Sequence, residues 1–261
     1  MNNKQKIKNY LKKNYLLKFL VIFFRILKNK YGLFVKIKSF INYRSDYRQY
    51  KHMNTNKHFY LKNEDLYPCI YDKTNTHSVD PIYFYQNTWC ARKIFKNNPT
   101  QHYDVGSSID MVSIISQSIS TTMVDIRPIP LSLEGLLFTE GSIINLPFKD
   151  NEIKSLSSIC VIEHIGLGRY GDPLDQFGSE KAVEELKRVL AYSGNLYISV
   201  PVDKDSKVYF NAHRAFTRDH ILNLFSPLRL IEEKYIYGNE ILDKYDQNKG
   251  FGTGLYHFTK N

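Results

Sequence analysis

The stretch His102-Tyr103-Asp104-Val105-Gly106-Ser107-Ser108 decides how the rest of the chain is read. Its apolar and β-branched residues end at a glycine, which is typical of a strand that turns into a helix. Apolar residues then recur at helical spacing, at Ile109, Val112, Ile115 and Ile119. Residues 121–126, TTMVDI, predict a second strand with Asp125 at its carboxyl end. A strand, a glycine turn, a helix and another strand predict a parallel sheet.

The same alternation continues to the carboxyl terminus. Further strands are predicted over 136–144, 155–165, 195–200, 229–237 and 255–259. Ser179 and Thr217 are suited to cap two more helices, because their hydroxyls can accept a bond from a free backbone N–H. We therefore predict an α/β domain over residues 101–261, built on an open, mostly parallel seven-stranded sheet with helices on both faces.

Two signals for a ligand fall at strand ends of this sheet. Gly106 leaves the backbone bare where the next helix offers free N–H groups. Asp125 follows about 20 residues later, the spacing at which an acid accepts hydrogen bonds from ribose hydroxyls. Because ligands bind at the carboxyl ends of parallel strands, the pair predicts a nucleoside site.

A third signal makes a family resemblance specific. Residues 141–151, GSIINLPFKDN, precede a strand that ends in Glu163-His164, and a helix, a turn at Gly194 and a strand ending in Pro201 follow. In this order the motifs of residues 101–261 resemble class I S-adenosylmethionine-dependent methyltransferases, which have a Rossmann-like fold. Within that superfamily, residues 163–173, EHIGLGRYGDP, and 211–214, NAHR, resemble an uncharacterised family of unknown function.

The resemblance implies S-adenosylmethionine as cofactor and assigns roles to residues. It implies that Asp104 and Gly106 cradle the methionine part of the cofactor, and that Ser107 also binds the cofactor. Asp125 would hold the ribose, with Ile126 against the adenine. The adenine edge would be bordered by Ser142 and Ile143, and the shared cofactor and acceptor pocket would be faced by Glu163 and His164.

The acceptor side needs a base if a hydroxyl or amine is methylated. His164 and His213 are the best candidates, because imidazole titrates near neutrality, and Glu163 is a weaker one. The loop over residues 166–178 is rich in glycine and polar side chains. With the segment that follows strand five, it supplies side chains for an anionic or sugar-like small-molecule or glycan acceptor: Arg169, Tyr170, Asp172 and Arg214. The alternatives are a rigid loop stitched by its own Arg–Asp pairs, and a structural role for His213.

Two other functions stay open. The single glycine of the first turn, and Ser142 where many such enzymes have an acid, are compatible with a non-catalytic binding module. Asp203-Lys204-Asp205 fits the D-x-D pattern by which glycosyltransferases hold a metal and a nucleotide sugar. Because that pattern is common by chance, methyl transfer is preferred and no metal is predicted.

The charge of the chain is divided unevenly. Residues 1–62 carry 13 Lys and 3 Arg against one acid, whereas residues 63–261 carry 20 basic and 25 acidic residues. A uniformly basic nucleic-acid-binding domain is not distributed in this way, and no nucleic acid is expected as partner. The three cysteines, Cys69, Cys90 and Cys160, lie far apart, which argues against a zinc site or a disulfide scaffold and favours a reducing, cytoplasmic compartment.

The basic region over residues 1–62 is predicted to be a helical extension. Residues 16–27, LLKFLVIFFRIL, are the most apolar stretch, but Lys18 and Arg25 interrupt them and they are too short to span a bilayer. Residues 1–30 could lie on the cytoplasmic membrane face, pack as an ordinary helix on the domain, or bind nucleic acid as a basic arm. Residues 63–100, with Pro68, Pro81 and Pro99, are predicted to form an irregular cover.

Overall fold

The structure is a computed structural model that describes residues 32–261. These residues belong to two compact units, with residues 32–78 in the first and residues 79–261 in the second. The apolar stretch over residues 16–27 and the predicted membrane contact of residues 1–30 lie outside the described residues. Within residues 32–261, no helix is both long enough and apolar enough to cross a membrane.

The described part of the first unit is built around one helix, α1 (Leu33–Met53). It begins after Gly32 and ends at Asn54, where the backbone becomes extended. A short 3-10 turn (Asn63–Asp65) follows, and the Tyr47 hydroxyl donates a hydrogen bond to the Asn63 side chain.

The second unit opens with a helix, α2 (Pro81–Asn97), so the prediction of an irregular cover over residues 63–100 is wrong for these residues. The Asp80 carboxylate accepts hydrogen bonds from the backbone N–H groups of Ile82 and Tyr83, and Pro81 occupies the first helical position. Asn98 ends the helix in the left-handed conformation, with φ of 43°. Pro81 therefore starts a helix instead of breaking one.

The strands and helices that follow alternate as predicted. In chain order they are β1 (Gln101–Val105), α3 (Ile109–Ser116), β2 (Ser120–Asp125), β3 (Leu136–Glu140), β4 (Ile153–Ile159), α4 (Gly178–Val189), β5 (Leu190–Val202), β6 (Lys207–Tyr209), β7 (His213–Ala215), α5 (Arg218–Phe225), β8 (Arg229–Tyr237), β9 (Glu240–Leu242) and β10 (Gly252–Thr259).

The main sheet has eight strands instead of the predicted seven, in the order β3-β2-β1-β4-β5-β10-β8-β9. The strands from β3 to β5 are parallel, and β10 runs antiparallel to both β5 and β8. The extra strand is β9, which forms a tight antiparallel pair with β8 and is too short to leave a clear sequence pattern. A separate two-stranded hairpin joins β6 and β7.

Helices cover both faces of the sheet, as the sequence predicts. The buried side chains of α4 and α5, including Val183, Leu186 and Phe225, belong to one apolar cluster. Those of α2 and α3, including Trp89 and Val112, belong to the other. Since central parallel strands are buried on both faces, these two clusters form the core that holds the strand ends in place.

The predicted strand over residues 155–165 ends earlier, at Ile159. Cys160 has a positive φ of 55°, which turns the chain out of the sheet, and Ile162–His164 form one turn of 3-10 helix. A side chain in this backbone region is uncommon and costs free energy. The turn directs Glu163 and His164 toward the rim of the sheet instead of along the strand.

Candidate active site

The turn after β1 has no side chain at Gly106, so its backbone is accessible beside the Asp125 carboxylate. Gly106 has φ of 71°, and its N–H donates to the Val124 carbonyl at 2.9 Å. A methyl group at Gly106 would lie 3.0 Å from Val161 Cγ1 and 3.9 Å from Asp125 Oδ2. The structure therefore brings together the glycine and the acid that the sequence singles out.

The Asp125 carboxylate has a partner within its own turn. Oδ1 accepts from the Arg127 backbone N–H at 2.8 Å and from Nε at 3.2 Å, and Oδ2 accepts from Nη2 at 3.3 Å. The Arg127 side chain is 56% exposed, whereas that of Asp125 is 10% exposed. Ile126, between them, presents a partly exposed side chain next to the carboxylate.

Asp104 is buried, and each of its carboxylate oxygens accepts one hydrogen bond from the protein. Oδ1 accepts from the Ser107 N–H at 3.0 Å, and Oδ2 accepts from the Ser157 hydroxyl. Burial raises the pKa of this carboxyl to about 6. The Ser107 hydroxyl in turn accepts from the Ile159 N–H at 2.9 Å. The side chains of Asp104 and Ser107 therefore connect the end of β1 to β4.

The same chain of bonds continues to a buried histidine. Because Ser157 donates to Asp104, it accepts from His102 Nε2 at 2.9 Å, and His102 Nδ1 then accepts from the Ser155 hydroxyl. Burial lowers the pKa of His102 to about 3, so the ring is neutral. These groups are interior supports of the rim and do not reach its surface.

The segment after β3 lies beside Asp125. Ser142 and Ile143, the two residues predicted to border the adenine, differ in their exposure to solvent. The Gly141 N–H donates to the Asp125 carbonyl at 3.1 Å, which places the start of this segment at the rim. Ser142 is half-buried and its carbonyl accepts from the Asn145 N–H at 2.9 Å. Ile143 points into the core and is 5% exposed, so its side chain does not present a surface to an adenine.

Glu163 is a buried carboxyl with an unfilled bonding position. It is 1% exposed, and its Oε2 has no hydrogen-bond partner. Its Oε1 lies 3.6 Å from His164 Nε2, too far for a good hydrogen bond. Burial raises the pKa of Glu163 to about 8, and the positive charge of Arg169 only partly opposes this. At neutral pH the group is therefore an uncharged acid.

His164 has one ring nitrogen fixed and the other unprotonated. Nδ1 lies 2.6 Å from the Ala212 carbonyl, which can only accept, so Nδ1 carries the proton. Burial lowers the pKa of His164 to about 4, so the ring is neutral and Nε2 keeps its lone pair. Arg169 Nη1 donates to the same carbonyl at 3.0 Å.

Two residues predicted to bind an acceptor instead hold the loop over residues 166–178 together. Arg214 is 8% exposed, and its guanidinium donates to the carbonyls of Ile165, at 2.6 Å, and Asp175, at 3.2 Å. The Asp172 carboxylate accepts from the Gly166 N–H at 2.6 Å and from the Tyr170 N–H at 3.3 Å. Both side chains form hydrogen bonds to backbone groups of the loop. An irregular loop needs such bonds, because its buried N–H and C=O groups have no partners in a helix or sheet.

The other two residues predicted to bind the methyl acceptor, Arg169 and Tyr170, belong to an aromatic and cationic surface. Two guanidinium groups lie over the Tyr170 ring, with Arg127 Cζ at 4.7 Å and Arg169 Cζ at 5.1 Å from its centre. Its edge meets the His164 ring at 5.4 Å. The His213 ring lies 6.5 Å from the His164 ring, and it packs against the rings of Tyr209 and Phe251, which also contact each other. Burial lowers the pKa of His213.

Helix α2 contributes Gln86 to this site, a role that the sequence pattern over residues 63–100 did not predict. Cys160 Sγ and the Ser199 hydroxyl both donate to Gln86 Oε1 at 3.0 Å, which joins α2 to the ends of β4 and β5. Burial, followed by the nearby acidic groups of Cys160 and Tyr170, raises the pKa of Tyr83. The Asp80-Pro81 cap signal, followed by buried residues at helical spacing, could have revealed this helix.

The Asp-x-Asp motif is not assembled as a metal site. The Asp203 carboxylate pairs with Lys207 at 2.9 Å, on its own segment. Among residues 32–261, no group of three His, Cys, Asp or Glu side chains is arranged to hold a metal ion.

Comparisons with known proteins agree on the fold. A putative sarcosine dimethylglycine methyltransferase from Galdieria sulphuraria superimposes with a TM-score of 0.52, at 13% identity over 71% of this chain and 92% of that chain. The N-methyltransferase NodS from Bradyrhizobium japonicum WM9 superimposes with a TM-score of 0.50, at 13% identity over 69% and 97%. The chain has the class I methyltransferase fold.

One family model matches part of the sequence, and its description names no reaction. The family described as Caenorhabditis protein of unknown function, DUF268, matches residues 148–249. This range contains the motifs on which the resemblance to an uncharacterised family rests, and that resemblance is confirmed. No curated protein matches the sequence. NodS has also been solved in complex with S-adenosyl-L-homocysteine, with a TM-score of 0.48, 11% identity, and coverage of 69% of this chain and 88% of that chain.

Proposed function

We propose that this protein is an S-adenosylmethionine-dependent methyltransferase that acts on a small-molecule or glycan acceptor. The observation that carries the proposal is the bare turn of Gly106 beside the Asp125 carboxylate, at the rim of a sheet with the order β3-β2-β1-β4-β5. A nucleoside cofactor needs both parts: close backbone approach, and an acid for its ribose hydroxyls.

The residues at the rim fit this cofactor in three places. Any side chain at Gly106 would fill the space between Val161 and Asp125. The partly exposed Ile126 offers an apolar surface for an adenine next to the carboxylate that would hold the ribose. Glu163 Oε2, buried and without a partner, marks a polar position that a ligand group can satisfy. The cofactor supplies an electrophilic methyl group on a sulfonium.

Arg127 has to be displaced from Asp125 before a ribose can bind there. The guanidinium occupies both carboxylate oxygens in the structure. Because the Arg127 side chain is 56% exposed, its guanidinium can move into solvent when a ribose takes its place at Asp125.

His164 is the group best placed to take a proton from the acceptor. Its Nδ1–H is fixed on the Ala212 carbonyl, which leaves Nε2 as the basic atom, beside the uncharged Glu163. Because burial lowers the pKa of His164 to about 4, Nε2 is unprotonated at neutral pH. It can therefore accept the proton of an acceptor hydroxyl or amine, which becomes acidic as the new bond to the methyl carbon forms. Tyr170, Arg169 and His213 line the approach, and they would contact the acceptor.

A non-catalytic binding module is the second candidate. It is favoured by the contact between Arg127 and Asp125, and by the internal bonding of Asp104 and Ser107. In that case the rim would be closed by the protein's own side chains and would bind no cofactor.

Isothermal titration with S-adenosylmethionine and S-adenosylhomocysteine separates the two candidates. The wild-type chain is expected to bind both, and Asp125→Ala to weaken binding by about 10- to 100-fold, since it removes the charged acceptor of the ribose hydrogen bonds. His164→Ala is expected to bind the cofactor almost normally, because the residue faces the acceptor. Glu134→Ala, at an exposed acid before β3, is the matched control.

Absence of binding to the wild-type chain would overturn the enzyme proposal and leave the binding module. Binding that is lost in His164→Ala and kept in Asp125→Ala would show that the two roles have been exchanged.

A further inference from the structure

Helix α1 carries a row of exposed side chains that changes character along its length. We call these six residues the α1 stripe: Leu33, Phe34, Ile37, Ile41, Arg48 and Lys51. The four apolar members are 61%, 80%, 47% and 60% exposed, in chain order. The two basic members, in the second half of the helix, are also exposed. Large apolar side chains that stay exposed together mark a surface that contacts something else.

The α1 stripe occupies one side of the helix. At about 100° per residue its six members fall within a sector of about 100°, roughly a third of the circumference. A different sector of α1 is half-buried, and its members are Ser39, Phe40, Tyr43 and Tyr47. The stripe is therefore distinct from the face that packs within the first unit.

The charge around the α1 stripe indicates the chemistry of its partner. Residues 1–62 carry 16 basic residues against Asp46 alone, whereas residues 63–261 are net acidic. Such a segment attracts an anionic surface and not the body of a neutral protein. Exposed leucine, isoleucine and phenylalanine have little use on a nucleic-acid backbone, but they can enter the acyl boundary of a bilayer while basic side chains reach its headgroups.

We propose that the α1 stripe binds the surface of an anionic lipid bilayer. Leu33, Phe34 and Ile37 insert at the amino-terminal end of the helix, and Arg48 and Lys51 contact anionic headgroups further along. The helix lies on the membrane and does not span it, in keeping with the absence of a membrane-crossing helix among residues 32–261. The inference does not depend on the reaction that the second unit catalyses.

Vesicle sedimentation of the full-length chain tests the proposal. The wild-type chain is expected to bind vesicles of phosphatidylcholine with about 30% phosphatidylserine at least tenfold more tightly than phosphatidylcholine alone, because basic residues near an anionic surface strengthen binding about fivefold each. Weakening of this binding by 0.5 M salt is expected from screening. Equal binding to the two kinds of vesicle, or binding to a 30-base-pair DNA duplex in place of vesicles, would overturn it.

Two variants test the stripe itself. The triple variant Phe34→Ser, Ile37→Ser, Ile41→Ser is expected to bind at least tenfold more weakly. The double variant Arg48→Gln with Lys51→Gln is expected to bind about 25-fold more weakly, on the anionic vesicles only. Their matched controls change equally exposed residues of the second unit: Ile114→Ser, Leu131→Ser, Leu137→Ser for the first, and Lys96→Gln with Lys154→Gln for the second. Wild-type binding by both stripe variants would place the contact elsewhere and refute the role of α1. Circular dichroism confirms that each variant is folded.

Discussion

The carboxyl end of β1 holds the buried carboxyl group of Asp104, and the turn after β4 holds that of Glu163. The hydrogen-bond partners of the two groups differ. Asp104 has a partner on each oxygen, whereas Glu163 has one oxygen with none. Burial raises the pKa of both, to about 6 and about 8. The difference shows that a polar residue at the edge of a sheet can either hold neighbouring strands together or keep a hydrogen-bonding position free for a ligand. Hydrogen bonding separates the two roles.

The physical reason is the cost of an unmade hydrogen bond. A buried acceptor without a hydrogen-bond partner costs about 1–3 kcal/mol of folding free energy. Such a group is therefore expected where a ligand supplies the missing hydrogen bond. Both oxygens of Asp104 are hydrogen-bonded within the protein, and through Ser157 the carboxylate holds β1 against β4. Glu163 keeps a bonding position free beside His164, so we assign the ligand-facing role to the turn after β4.

The largest expected effect tests the supporting role of Asp104. Asp104→Ala is expected to lower the free energy of unfolding by about 3 kcal/mol, since it leaves the buried donors of Ser107 and Ser157 without an acceptor. Urea denaturation measures the change. Asp110→Ala, at an exposed acid in the first turn of α3, is the control and is expected to change it by less than about 0.5 kcal/mol. A similar small loss for Asp104→Ala would contradict a structural role.

The second effect uses the pH dependence of Glu163. Its pKa rises from 4.5 to about 8 on folding, so the protonated form stabilises the fold. This contribution is complete below about pH 4.5 and is lost as the pH rises to about 8. Relative to Glu163→Gln, which cannot ionise, the wild-type chain is expected to lose about 2 kcal/mol or more between pH 5 and pH 9. Urea denaturation at both pH values measures it, and parallel curves for the two proteins would refute the assignment.

The smallest expected effect concerns Arg127. Arg127→Ala removes the internal competitor for Asp125, and S-adenosylmethionine is expected to bind at least about threefold more tightly, because the ion pair no longer has to open when the ribose binds. Isothermal titration gives the dissociation constant, with Arg92→Ala, an exposed arginine of α2, as control. Weaker binding by Arg127→Ala would mean that the arginine contacts the cofactor and does not compete with it.

Local patterns predicted the elements that form from neighbouring residues. The glycine after β1 and the apolar spacing of Val112 and Ile115 located β1 and α3, because a strand end and an amphipathic helix are visible within a few residues. The same rules failed at Cys160, whose positive φ is atypical of cysteine, and at β9, which has only three residues. Pro81 was misread because a proline is compatible with either a loop or a helix start.

The sequence by itself determined the α/β alternation, the position of the Gly106 turn and the acid at the end of β2, since these depend on residues close together in the chain. Only the tertiary structure decided which polar side chains remain available. Arg214 is bound to the carbonyl of Ile165, 49 residues away, and Asp104 to Ser157, 53 residues away. Hydrogen bonds over such distances depend on how the strands are paired, so the sequence could propose these residues for a ligand but could not show that the fold uses them.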